Sequence, residues 1–228
     1  ISGGIGNDTL DGGSGDDQID AGAGDDTLIG GAGADTLLGG TGNDTADYSG
    51  SGAVTIDLAA GTGVGADAQG DTLSDIENVF GGTGDDVISG DVNDNILSGN
   101  DGNDTIDGLG GNDNITGGSG DDTLDGGEGN DTIDGGANND NIAGGLGNDT
   151  IVGGDGADTI SGGEGDDIIT GGLGNDTITA DAGADIIVGD EGFDHVDYSG
   201  STTGIGVVVD GVTIGTGDTA AGDVLAEV

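Results

Sequence analysis

A nine-residue unit, Gly-Gly-x-Gly-x-Asp-x-aliphatic-x, recurs eighteen times in this chain and restricts its possible folds more than any other feature. The first clear copy is Gly3-Gly4-Ile5-Gly6-Asn7-Asp8-Thr9-Leu10-Asp11. Five copies run in register over residues 3–47, and thirteen more run over residues 81–197. A sequence that repeats at a short fixed period predicts a solenoid, in which each unit is stable only against its neighbours.

The residue type at each position indicates how one unit folds. Glycines at positions one, two and four permit positive φ angles, which suit a tight turn. The aspartate at position six, for example Asp131, supplies a carboxylate where the turn becomes a strand. The aliphatic residue at position eight, for example Ile133, lies between polar neighbours, so a period of two directs it inward. Position seven is most often threonine and faces outward, and β-branched residues there favour strand over helix.

The repeat therefore predicts an all-β fold, a parallel β-roll or β-helix solenoid with two nonapeptides per turn. Its interior would hold one aliphatic side chain per nonamer, namely Leu10, Ile19, Leu28, Leu37, Ala46, Ile88, Leu97, Ile106, Ile115, Leu124, Ile133, Ile142, Ile151, Ile160, Ile169, Ile178, Ile187 and Val196. At about 25 cal/mol per Å² of buried apolar surface, so thin a core does not offset the ordering of nine backbone residues. Another interaction must stabilise the fold.

The charge of the chain points to that interaction. There are 47 acidic residues and no Lys or Arg, which gives a formal charge of −47. Self-repulsion of this size opposes a compact state unless cations bind. The lack of basic residues argues against nucleic-acid binding, and an anionic membrane surface would repel the chain. No apolar run approaches the ~20 residues of a membrane span, and without cysteine there is no thiolate metal site.

The spacing of the aspartates predicts where cations would bind. Turns at one edge of the solenoid recur every 18 residues, so Asp122 should lie between Asp104 and Asp140. A cation between two turns would take carboxylate oxygens from both, together with main-chain carbonyl oxygens left accessible by glycine. Flexible sites made only of oxygen ligands select calcium over magnesium, zinc or copper. Stacked repeats of this number offer roughly 14 gaps, about 3 in the first block and 11 in the second.

These units resemble the repeats-in-toxin (RTX) nonapeptides, whose parallel β-rolls bind calcium between adjacent turns. The resemblance covers all eighteen nonamers and implies type I secretion and folding on contact with extracellular calcium. It also implies that position six supplies the metal ligands, which here are Asp8, Asp17, Asp26, Asp35, Asp44, Asp86, Asn95, Asp104, Asp113, Asp122, Asp131, Asp140, Asp149, Asp158, Asp167, Asp176, Asp185 and Asp194. Asn95 is the one amide in this set, and its lower charge predicts a weaker site.

Residues 48–80 break the nonamer register between the two blocks. Alternation over residues 53–58 predicts a strand, and residues 71–80 are a candidate for another. Both would lie in wider coils that continue the solenoid. The motif Ala46-Asp47-Tyr48-Ser49-Gly50 returns 150 residues later, starting at Val196. The expected organisation is therefore a β-roll (1–47), an insert (48–80), a second β-roll (81–197) and the start of a second insert (198–228). Tyr48 and its counterpart Tyr198 are expected to pack between coils.

Three functions remain open from the sequence. The recurrence favours a calcium-bound spacer or scaffold in a longer secreted or cell-surface protein, such as an adhesin or surface layer. The chain could instead be the calcium-folded tail of an exported protease, lipase or epimerase. Ice binding through flat rows of threonine and asparagine is less favoured, because position three is too irregular to match an ice lattice. No catalytic residue is predicted: the one histidine, His195, takes an outward position, without the paired histidines or nucleophile elbow of known hydrolases.

Overall fold

Short strands separated by glycine-rich turns follow one another along the whole of the protein. The computed structural model describes residues 1–197 and, beyond them, the backbone of residues 206–209, 213–214 and 224–227. Within this described part the helical structure is one 3-10 turn, Ala66–Ala68, and no helix is long and apolar enough to cross a membrane. The predicted second insert at 198–228, including Tyr198, lies largely outside the described residues.

The strands form two sheets. Sheet 1 has fourteen strands in the order β1 (Ser2–Ile5), β3 (Gln18–Ala23), β5 (Thr36–Thr41), β9 (Thr72–Ser74), β8 (Thr62–Val64), β7 (Thr55–Asp57), β11 (Val87–Ser89), β13 (Thr105–Asp107), β15 (Thr123–Glu128), β17 (Asn141–Leu146), β19 (Thr159–Glu164), β21 (Thr177–Thr179), β23 (His195–Asp197) and β25 (Thr213–Ile214). Sheet 2 has twelve strands in the order β2 (Thr9–Ser14), β4 (Thr27–Ala32), β6 (Thr45–Asp47), β10 (Asn78–Phe80), β12 (Ile96–Asp101), β14 (Asn114–Ser119), β16 (Thr132–Ala137), β18 (Thr150–Asp155), β20 (Ile168–Gly174), β22 (Ile186–Gly192), β24 (Gly206–Val209) and β26 (Val224–Glu227).

The register of the strands confirms two nonamers per turn. In sheet 2, β14 pairs in parallel with β16, and Ile115 lies opposite Ile133. In sheet 1, β15 pairs in parallel with β17, and Leu124 lies opposite Ile142. Each partner is 18 residues further along the chain, so successive nonamers alternate between the sheets and the chain coils as a β-solenoid.

The core is the thin aliphatic row that the repeat predicts. Every predicted inward residue belongs to it, and all are buried except Leu10 in the first coil, which is partly buried. Side chains on either side of each inward residue are more exposed, as in the exposed-buried-exposed start of β16. Position one of the next nonamer also points inward, and where it carries a methyl group, at Ala21 and Ala180, that group is fully buried.

Residues 48–80 continue both sheets. In sheet 2, β10 simply takes a place between β6 and β12 with all strands parallel. In sheet 1 the insert adds three strands, because β8 pairs antiparallel with both β7 and β9. The two strands expected at 53–58 and 71–80 correspond to β7, β9 and β10, whereas the reversed strand β8 is not indicated by the sequence.

Four residues other than glycine adopt positive φ at glycine positions of the nonamers. They are Asn100 (φ 75°), Leu109 (φ 69°), Asn138 (φ 80°) and Asp190 (φ 70°). Asparagine and aspartate tolerate this left-handed region comparatively well, whereas leucine does not. Leu109 is therefore the most strained position of the four.

Replacing Leu109 with glycine should stabilise the folded protein by about 1 kcal/mol, because glycine removes the steric cost of the left-handed conformation. The change would be measured as a rise in the thermal unfolding midpoint at saturating calcium. Leu146→Gly is the matched control, since Leu146 is similarly exposed but lies in β17 without a positive φ. A Leu109→Gly midpoint at or below that of the parent would contradict the assignment of strain.

Candidate metal centre

The position-six residues fall into two columns, one along each edge where turns lead into strands. Column 1 precedes sheet 1 and holds Asp17, Asp35, Asp86, Asp104, Asp122, Asp140, Asp158, Asp176 and Asp194. Column 2 precedes sheet 2 and holds Asp8, Asp26, Asp44, Asn95, Asp113, Asp131, Asp149, Asp167 and Asp185. All are buried except Asp8 and Asp17 of the first coil, which are partly buried.

One oxygen of each stacked carboxylate is used by the backbone of the preceding coil. The N–H of Asp122 donates to Oδ1 of Asp140 at 2.8 Å, and the N–H of Asp140 donates to Oδ1 of Asp158 at 2.8 Å. The same bond recurs along both columns at 2.7–3.1 Å. This ladder fixes the direction of every carboxylate and places it between two coils.

The second carboxylate oxygen, Oδ2, has no protein donor although it is buried. This holds for sixteen of the eighteen position-six residues, namely Asp8, Asp17, Asp26, Asp35, Asp44, Asp104, Asp113, Asp122, Asp131, Asp140, Asp149, Asp158, Asp167, Asp176, Asp185 and Asp194. A buried anionic oxygen without a partner costs several kcal/mol, so protein interiors rarely contain one. Its repetition along two columns fits a set of bound cations.

Glycine at position one leaves the space into which Oδ2 points in most nonamers, whereas the nonamers of Asp26 and Asp185 have Ala21 and Ala180 at this position. A methyl group on Gly3 would lie 2.7 Å from Oδ2 of Asp8 and 2.6 Å from the carbonyl oxygen of Ala21 in the next coil. A methyl group on Gly135 would likewise lie 2.5 Å from Oδ2 of Asp140 and would strike the carbonyl oxygen of Gly153. A carboxylate oxygen and a main-chain carbonyl oxygen therefore approach the same small space in successive coils.

The available ligands are a mixture of side-chain and main-chain oxygens. Throughout the described part of the chain, no three histidine, aspartate or glutamate side chains come together in a cluster that could hold a metal ion. A cation bound in a gap would therefore take carboxylates from two coils, with carbonyl oxygens, water or both as its further ligands. Such all-oxygen donor sets suit calcium, which accepts six to eight oxygen ligands in flexible geometry.

The electrostatic state of the columns is unfavourable for the protein alone. Burial, reinforced by neighbouring carboxylates, raises the pKa of Asp104 and Asp176 to about 6. Burial, again with neighbouring charges, raises the pKa of Asp113 and Asp140 to about 7. The fold by itself favours protonated carboxyl groups at these positions, and a divalent cation would favour the ionised form instead.

Two predicted ligands differ from the rest. Oδ2 of Asp86 accepts a hydrogen bond from the N–H of Gly82 at 2.5 Å. Oδ1 of Asn95 accepts one from the N–H of Asp91 at 2.8 Å, and its Nδ2 donates to the carbonyl oxygen of Glu77 at 2.9 Å. Neither side chain therefore has the unpartnered oxygen that marks the other sixteen.

Two residues of the insert extend the columns, although the sequence pattern did not identify them. Oδ1 of Asp71 accepts from the N–H of Asp35 at 2.8 Å, and Oε2 of Glu77 accepts from the N–H of Asp44 at 2.8 Å. Asp71 precedes Thr72 and Leu73 just as a position-six aspartate precedes its strand. That local resemblance is the signal that could have located it, whereas Glu77 lies outside the nonamer phase.

Position five forms a second, exposed ladder that runs in the opposite sense. Oδ1 of Asn103 accepts from the N–H of Asp121 at 2.7 Å, and Oδ1 of Asp121 accepts from the N–H of Asn139 at 3.0 Å. Position five is Asn or Asp in fourteen of the eighteen nonamers. His195 is exposed on β23, opposite Thr177, and takes part in neither ladder.

The fold and the two carboxylate columns define a class of protein, the parallel β-roll with acidic edges suited to calcium. Comparison with family models gives the particular family. The model described as RTX calcium-binding nonapeptide repeat (4 copies) matches residues 1–28, 14–46, 71–106, 80–115, 98–133, 107–142, 134–169, 143–178 and 161–196. The chain therefore belongs to the RTX calcium-binding nonapeptide-repeat family, which is a repeat fold and not an enzyme family. No curated protein sequence gives a significant match.

Replacing Asp140 with asparagine should remove about one to two bound calcium ions per chain, because Asp140 borders two gaps. The ions would be counted by atomic emission after equilibrium dialysis. Asp121→Asn is the matched control, since it makes the same charge change at an exposed position-five site. Equal ion counts in the two variants would contradict the assignment of the ligand column.

Calcium affinity should fall about tenfold or more as the pH is lowered from about 7.5 to about 5.5, because protons compete for the same oxygens. Without calcium, lowering the pH should stabilise the fold instead of weakening it. The folded pKa values of about 6 to 7 for Asp104 and Asp140 lie above the ~3.9 of an unfolded chain, so protonation favours the fold. That stabilisation is complete below pH ~4 and is lost as the pH rises to ~7.

In chelator, circular dichroism should therefore show β structure appearing as the pH falls from about 7 to about 4. Light scattering on the same samples would separate folding from aggregation. A calcium affinity that does not change between neutral and acid pH would contradict the account of the columns.

Proposed function

We propose that this chain is a structural segment of a secreted or cell-surface protein that folds on binding calcium and then acts as a rigid spacer or scaffold. The observation that carries the proposal is the double column of buried, unpartnered Oδ2 atoms. The position-six aspartates are the proposed ligands. Bound calcium would supply positive charge between successive carboxylates and take the place of the large apolar core that the chain lacks.

The expected number of strong sites follows from the columns. A gap has two unpartnered carboxylate oxygens only where both of its aspartates lack a protein donor. Six gaps in each column meet this condition, which gives twelve in all. The gaps that begin at Asp86 and Asn95 account for the other two of the ~14 counted from repeat spacing. We therefore expect about twelve strong sites, with the remaining two weak or unused.

The spacer role is supported by the continuity of the solenoid. Both sheets run through residues 48–80 without a break, so the two blocks and the insert form one rod. Each turn adds about 4.8 Å of length, and thirteen nonamers of the second block therefore span about 30 Å. Ice binding is not proposed, because the outward row of sheet 2 is interrupted by Ile96, Asn114, Ile168 and Ile186.

Removing calcium should unfold the chain at neutral pH, because the ionised columns then repel one another without compensation. Far-ultraviolet circular dichroism would show a coil in chelator and β structure after calcium is added. Small-angle scattering on the same samples would show the radius of gyration decrease on folding. Magnesium at the same concentration is the control, since its strict octahedral geometry suits these sites poorly. A β spectrum that persists in chelator would sink the proposal.

A further inference from the structure

The junction between the two blocks, taken as residues 48–95, interrupts column 1. The coil that contains β7 places Val54, which is buried, where other coils place an aspartate. Its N–H donates to Oδ1 of Asp86 at 2.7 Å, as an aspartate N–H does elsewhere. Val54 therefore donates to the following coil as an aspartate does, but it has no carboxylate that could share a cation with Asp86, and the N–H of Asp71 donates instead to the carbonyl oxygen of Ala68.

Hydrogen-bond donors of the protein occupy the places where other coils leave Oδ2 free. The hydroxyl group of Tyr48 donates to Oδ2 of Asp71 at 3.0 Å, and both side chains are buried. Oδ2 of Asp86 is satisfied by the N–H of Gly82. Both carboxylates of column 1 in the junction thus have the partner that the sixteen others lack.

Column 2 is interrupted by an amide. Asn95 both accepts, from the N–H of Asp91, and donates, to the carbonyl oxygen of Glu77. A carboxylate at this position could make the first bond but would repel the carbonyl oxygen of Glu77. Asparagine is therefore the residue that can bond to both coils at this point without a cation.

The junction also contains the apolar burial that the β-rolls lack. Seven hydrophobic residues between positions 48 and 80 are buried, namely Tyr48, Val54, Ile56, Ala68, Leu73, Ile76 and Val79. Each nonamer, by comparison, buries one aliphatic residue, at position eight, among its nine residues. Burial in the 33 residues of the insert is therefore about twice as dense, which reduces the stabilisation that bound cations would have to supply there.

From these contacts we propose that the junction is a calcium-independent block that divides the protein into two separately loading units. The inference rests on the proposed function. Cooperative loading needs a carboxylate that borders two filled gaps, and the interruptions at Val54 and Asn95 remove that sharing in both columns. The first unit holds three gaps with two unpartnered oxygens, bordered by Asp8 to Asp44, and the second holds nine, bordered by Asp104 to Asp194.

Hydrogen exchange measured by mass spectrometry during a calcium titration would follow the two units separately. Asp26→Asn should raise the calcium midpoint of peptides from 8–44 by about 5-fold or more, and change that of peptides from 104–194 less than about 2-fold. Asp149→Asn should have the reverse effect. Asp25→Asn, an exposed neighbour with the same charge change, is the control. Equal shifts of both units in each variant would overturn the inference.

A second measurement tests the junction directly. Asn95→Asp should add about one bound calcium ion per chain, because it restores a carboxylate beside Asp113. Asn103→Asp, which adds the same charge at an exposed position-five site, should add none. An ion count that Asn95→Asp leaves unchanged would overturn the role of Asn95. If calcium protects no peptide in either unit, the proposed function itself fails, whereas one shared midpoint refutes only the division.

Discussion

Repulsion between stacked carboxylates controls this structure. Successive position-six aspartates lie one coil apart, and two charges about 4.8 Å apart repel by roughly 3 kcal/mol at an effective dielectric constant of 20. Burying one aliphatic side chain contributes only about 1.5–3 kcal/mol, and each nonamer offers one. The core therefore cannot overcome the columns, and whatever neutralises Oδ2 decides whether the chain folds at all. Glycine at position one matters for the same reason, since it leaves room for that neutralising group.

In the insert and just after it, the protein itself supplies a partner for the second oxygen of each column 1 carboxylate. Oδ1 of Asp71 and Oδ1 of Asp86 each accept a backbone N–H, as in the β-rolls, and Oδ2 of each is paired with a protein donor. The β-rolls bury few apolar residues and contain many carboxylate oxygens without a protein donor. The junction buries more apolar residues, and its column 1 carboxylates have protein donors. The same coil thus accommodates carboxylates that have two protein donors and carboxylates that have only one.

Much of this architecture could be predicted because its signals are local and periodic. The alternation around Ile133 fixes which side chain faces inward, and the 18-residue return places Asp122 beside Asp140. The reversed strand β8 could not be predicted, since its pairing depends on residues distant in the sequence. Glu77 could not be predicted as a column residue, because it lies out of phase with the nonamers. The donors to Asp86 and Asn95 are backbone N–H groups, which have no sequence signal. The position-five ladder does have a sequence signal, because Asn or Asp fills that position in fourteen of the eighteen nonamers.

The single-file core has a thermal consequence. The heat capacity change on unfolding comes mainly from apolar surface newly exposed to water, and polar surface opposes it. A protein that buries one aliphatic side chain per nine residues, amid polar turns, exposes little such surface. Its heat capacity increment per residue should be well below that of globular domains, which flattens the curve of stability against temperature. Such a rod would keep nearly the same margin of stability in cold and warm surroundings, provided that the surrounding calcium concentration does not change.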